Sequence, residues 1–95
     1  MKNTTLSLKI LRINHDKDIV FKMVDDVIDI IKNSNLNYLV GPSETTIDGN
    51  IDELMNLLSS IMNFVKESSD PVFISSQFYY QKRGITPLEE KIKNK

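Results

Sequence analysis

Residues 41–50 read GPSETTIDGN, and Ser43, Glu44, Thr45, Thr46 and Asp48 there place three hydroxyls and two carboxylates within six positions. Groups of this kind can hydrogen-bond a polar ligand, or the carboxylates can exchange protons with a substrate as general acid and base. Acid–base work needs partners, and they are scarce. His15 is the one histidine, and it falls in the polar stretch Asn14-His15-Asp16-Lys17-Asp18, where an exposed, non-catalytic imidazole is expected. The chain has no cysteine, which removes thiol nucleophiles, disulfides and Cys-based zinc sites together. A single histidine leaves no His-rich metal cluster. Neither a Gly-rich phosphate loop nor a nucleophile–base spacing is present, and no cofactor is implied.

The elements that must position these groups follow from hydrophobic period. In TTLSLKILRI (4–13), Leu6, Leu8 and Ile10 point one way and Ser7, Lys9 and Leu11 the other, the two-residue period of a half-buried strand. Asp16 or Asp18 can then cap a helix. From Ile19 to Ser34, Val20, Met23, Val24, Val27, Ile28 and Ile31 recur at three- and four-residue steps. Asp25, Asp26 and Asp29 fall on the opposite side with Lys22 and Lys32, so they read as a solvated, ion-paired face.

A second strand starts near Leu36 and meets the turn Gly41-Pro42-Ser43. The third, Glu44 to Asp48, places Thr45 and Ile47 on one face and Glu44, Thr46 and Asp48 on the other, with Gly49 expected to break it. Threonine favours strands, so part of this stretch is structural. Asn50 with Glu53 nearly makes a capping box for a second helix reaching about Glu67, whose apolar stripe includes Ile51, Leu54, Leu58, Ile61 and Val65. A fourth strand, Val72 to Gln81, shows Val72, Ile74, Phe78 and Tyr80 on one face and Phe73, Ser75, Gln77 and Tyr79 on the other.

Strand, helix, strand, strand, helix, strand is the order of an α+β, ferredoxin-like βαββαβ sandwich: a four-stranded antiparallel sheet with two helices on one face. The other face is then bare, showing Ser7, Lys9, Leu11, Phe73, Ser75, Gln77 and Tyr79. A monomer rarely leaves such an apolar patch open, so homodimers or homotetramers formed through it are expected.

The 95 residues fit a single domain, 1–95. Residues 82–95 carry five Lys/Arg against two Glu and read as a basic C-terminal tail able to form a short helix over Leu88 to Lys93. The formal net charge of −1 argues against nucleic acid as a partner. No run has the length of a signal peptide or approaches the roughly 20 apolar residues of a membrane span, so a cytoplasmic address with no membrane partner is expected.

The run SNLNYLVGPSETTIDGNIDEL (34–54) resembles the signature region of the YkoF-like thiamine-binding family of small ferredoxin-like proteins. Members end the first helix with Ser-Gly-Leu, continue through a Tyr-bearing strand and a Gly/Pro turn, and carry Thr-x-Ile/Val-Glu-Gly-Asp before the second helix. Ser34-Asn35-Leu36, Tyr38, Gly41-Pro42 and Thr45-Thr46-Ile47-Asp48-Gly49-Asn50 stand in those places. Asn35 replaces the usual glycine and Asp48 the usual glutamate. Gln77 and Lys82-Arg83 are the nearest counterparts of the Lys and Arg usual in the last strand.

The resemblance implies non-catalytic binding of thiamine (vitamin B1) or its hydroxymethylpyrimidine half. An aminopyrimidine offers an amine donor beside ring-nitrogen acceptors and two π faces. Ser43, Glu44, Thr45, Thr46 and Gln77 can supply polar partners, and Tyr38 or Tyr79 a wall. Thr45 and Thr46 point to opposite faces, so at most one lines a given side of the sheet. Two other classes remain open: a small oligomeric enzyme acting on an aromatic, with His15, Glu44 and Asp48 as acid–base candidates, and a regulatory or structural protein that docks a partner on its bare sheet.

Overall fold

A computed structural model describes residues 2–85. The chain runs β1 (Thr4–Arg12), α1 (Lys17–Asn33), β2 (Asn37–Val40), β3 (Thr45–Gly49), α2 (Ile51–Val65) and β4 (Val72–Tyr80). All neighbouring strands pair antiparallel in the order β2-β3-β1-β4. This is the expected α+β ferredoxin-like arrangement. The suggested helix over Leu88 to Lys93 lies outside the described residues.

Alternation in β1 decides what each layer holds. Leu6 and Leu8 are buried toward the helices, with Ile47 beside Leu6 on β3. The stripes of α1 (Met23, Val27, Ile31) and α2 (Leu54, Leu57, Ile61, Val65) close over them as one core. The opposite face carries cross-strand rows set by the register: Asn37–Asp48–Thr5–Tyr79, then Leu39–Thr46–Ser7–Gln77, and further along Lys9–Ser75 and Leu11–Phe73. Leu11 and Phe73 remain 50% and 62% exposed, the apolar patch expected of a bare sheet.

Local chemistry fixes the helix ends. Asp16 caps α1 by accepting from the Asp18 N–H at 2.9 Å. Asn50 and Glu53 form a full capping box on α2, with bonds of 2.9 and 3.1 Å. After α1 the chain reverses at Asn35, whose φ of 61° is the left-handed conformation that glycine and asparagine tolerate best. That accounts for asparagine at a position where the resembled family keeps glycine.

Two boundaries differ from the sequence reading. Gly49 does not break β3; it pairs with Thr4 as the last strand residue. Glu44 is not in the strand, because the Gly41 N–H donates to the Glu44 carbonyl at 2.9 Å and draws it into the β2–β3 turn. A Cβ on Gly41 would lie 2.9 Å from that same carbonyl oxygen, so glycine is required for the turn to close this tightly.

Candidate ligand-binding site

The β2–β3 hairpin is shorter than the strand it pairs with. β3 covers β1 only as far as Leu8, opposite Thr45, while β1 continues to Arg12 beside β4. Where the hairpin stops, a cleft of about 210 Å³ opens between β1, the turn and α1. Leu8 and Ile10 form its floor, Val24, Val27, Ile28 and Ile31 its helical wall, and the turn from Gly41 to Glu44 its rim. Thr45, facing the helices beside Leu8, adds a hydroxyl at the junction. The chemistry is that of a small-molecule pocket: aliphatic walls with a few polar groups gathered on one side.

A wider groove of about 500 Å³ runs between the end of α1 and α2. Asn33, Glu53, Asn56 and Ser60 make much of its lining, with Leu36 and Leu57 beneath. Ile30, Leu36 and Leu57 give it three aliphatic lining residues against seven in the cleft.

The seven residues singled out from sequence fall into three places. Ser43, Glu44 and Thr45 meet at the cleft. Thr46, Gln77 and Tyr79 lie on the open sheet face, Thr46 and Gln77 flanking Ser7 and Tyr79 standing beside Thr5. Tyr38 pairs with Ile47 on the helix side and packs against the core. Thr45 and Thr46 do part to opposite faces.

Asp48 is on the open side, fully buried, and accepts from the Thr5 hydroxyl at 2.9 Å. Thr5 was not among the candidates, although its place in the β1 alternation was available to signal it. His15 is exposed in the loop after β1. Asp48 pairs near the start of that strand, so the length of β1 separates the two. Among the described residues no cluster of three His, Asp or Glu could hold a metal ion, and no helix is long and apolar enough to cross a membrane.

One polar cluster had no sequence signal. Asp70 accepts from Asn14 Nδ2 at 2.6 Å and Arg12 Nε at 2.9 Å, with Arg12 Nη2 at 2.8 Å. The Asn14 hydrogen bond holds the Asp70 carboxyl below the usual carboxylate range; partial burial opposes this, and Arg12 adds to it by hydrogen bond and charge. The cluster ties the end of β1 to the α2–β4 connection and lies at the far end of the fold from Asp48.

Residues 6–95 match the thiamine-binding protein family. The chain belongs to this family. A UPF0045 protein of Clostridium perfringens is 31% identical over 93 residues, which cover 97% of this chain and 96% of that one. Among solved structures, a candidate thiamine biosynthesis/salvage protein of Thermotoga maritima superposes with a TM-score of 0.85 at 26% identity, covering 97% of both chains. A Streptococcus pneumoniae protein follows at 0.81 and 26%, covering 98% of this chain and 99% of its own. The match begins at Leu6, inside β1, so for this thiamine-binding family member the similarity reaches well beyond residues 34–54.

Proposed function

We propose that this protein binds thiamine or its hydroxymethylpyrimidine half without turning it over, as a cytoplasmic homo-oligomer. The observation that carries the reading is the aliphatic cleft with Ser43, Glu44 and Thr45 on one side. Its volume, about 210 Å³, falls below the roughly 300–1,000 Å³ of pockets that enclose drug-sized ligands. A space of this size suits one small ring better than two linked ones. The pyrimidine therefore enters between Val24 and the turn, and thiamine's thiazolium stays at the rim, where the Glu44 carboxylate favours its positive charge.

Self-association uses the open sheet, whose Leu11 and Phe73 sit side by side. In this reading Thr46, Gln77 and Tyr79 belong to that surface and reach ligand only within an assembly. Binding without turnover is supported by the matched family's description as a thiamine-binding protein.

Calorimetric titration with thiamine and with hydroxymethylpyrimidine tests the proposal. Saturable heat with both ligands is expected. Neither heat nor thermal stabilisation at millimolar ligand would count decisively against it.

A further inference from the structure

The cleft has a floor that side chains alone do not describe. Leu8 and Ile10 project to the helix face, whereas Lys9 between them projects to the open face, yet all three line the same space. One cleft can meet residues of both parities only by running along the edge of the strand, against its main chain.

That edge is unpaired. The Ile13 N–H donates to Pro71 O at 2.9 Å, on the β4 side. Successive residues of an antiparallel strand turn their N–H and C=O to alternate edges, so Leu11 also faces β4 and Ile10 faces away from it. On that side β3 has already ended at Thr45, opposite Leu8, and the Gly41–Glu44 bond closes the turn. Among the described residues, no ladder partner meets the N–H and C=O of Ile10 on the cleft side. Main-chain groups in such a place remain strong donors and acceptors.

We infer that Ile10 reads the ligand through its main chain: its N–H and C=O form a donor–acceptor pair that takes an aminopyrimidine edge-on, as a surrogate for the missing strand residue. The exocyclic amine donates to the Ile10 carbonyl and the adjacent ring nitrogen accepts from the Ile10 N–H. One face of the ring rests on Val24 and Ile28. This rests on the cleft being the ligand site, and it names what selects the ligand there: a planar heterocycle with an amine beside an unprotonated ring nitrogen. Ser43, Glu44 and Thr45 then tune affinity, while the donor–acceptor order sets specificity.

The test uses the full ¹⁵N-labelled chain, thiamine, and the analogue of thiamine whose 4-amino group is replaced by oxygen, which reverses the donor–acceptor order. With saturating thiamine, amide exchange at Ile10 slows by about tenfold or more while Leu11, bonded to β4, changes little. The oxo analogue binds on the order of tenfold to a hundredfold more weakly, the cost of facing like groups across a shielded pair of hydrogen bonds. If thiamine saturates and shifts Val24 and Thr45 but leaves Ile10 exchange unchanged, or if both ligands bind equally, the main-chain reading is overturned and the cleft assignment stands. If thiamine does not bind at millimolar concentration, the cleft assignment fails and takes this inference with it.

Discussion

Thr5 donates its hydroxyl to the Asp48 carboxylate at 2.9 Å across the β1–β3 pair, and Asp48 has no exposed surface although it lies on the face turned away from the helices. A buried carboxylate needs its donors, because each one lost leaves charge poorly solvated. Thr5→Val keeps the shape of the side chain and removes the donor. It is expected to cost about 1–3 kcal/mol of unfolding free energy, read from denaturant midpoints at constant slope. A change within a few tenths of a kcal/mol would mean that the bond contributes little.

The other end of the open face has the opposite character. Leu11 and Phe73 are direct cross-strand neighbours and both are exposed. Phe73→Glu places a charge in the middle of the proposed self-association surface. Sedimentation should show a shift from oligomer to monomer, with the helical signal in circular dichroism retained because Phe73 does not contribute to the buried core. An unchanged sedimentation profile would remove the open face as the contact.

Most of the architecture could be read from the chain because it rests on period and caps. Alternation in β1 separated Leu6 and Leu8 from Ser7 and Lys9, and Asn50 with Glu53 announced α2. What could not be read depends on pairs far apart in sequence. Asp70 meets Arg12 and Asn14 across separations of 58 and 56 residues, and nothing local to either end signals the contact. The cleft was hidden for a related reason: it arises because one hairpin stops short of its neighbour, a difference in strand length visible only once the register is known. Glu44 was misplaced into β3 because a glutamate beside threonines looks extended, whereas the Gly41 bond to its carbonyl puts it in the turn.

Asn35 gives a sharper test of local conformation. With φ at 61°, a β-branched residue there would meet the left-handed penalty of roughly 1–2 kcal/mol. Asn35→Val is expected to lose about that much stability, whereas Asn35→Gly stays within about 1 kcal/mol of the parent. Equal losses for both variants would show that the asparagine side chain, not its backbone angle, is what the site needs.

Asp70 predicts a pH dependence with a definite sign. Its carboxyl titrates lower in the folded chain than in the unfolded one, so the unfolded state binds the proton more readily. The stabilisation is fully present above the ordinary carboxylate pKa and is lost as pH falls through the depressed folded value. Asp70→Asn should therefore melt below the parent at neutral pH, and the two melting curves should converge in strong acid. A gap that stays constant from neutral to acid pH would assign the difference to geometry and not to charge.

Val24 offers the most direct way to close the cleft without touching its polar rim. It lines the helical wall, and it is half-buried, unlike the fully packed Val27 and Ile31 beside it. Val24→Phe directs a ring into the space where a pyrimidine would lie. Overpacking in a tight core costs about 1–3 kcal/mol, but here the added volume has a cleft to fill, so the loss should sit at the low end. Thiamine affinity is expected to fall by about tenfold or more by calorimetry. The control is Glu44→Gln, which keeps the cleft open and removes the rim charge: it should weaken thiamine by a few-fold and leave uncharged hydroxymethylpyrimidine nearly unaffected. Full-strength binding to Val24→Phe would place the ligand somewhere other than this cleft, with the groove between α1 and α2 and the polar rows of the open sheet left to probe.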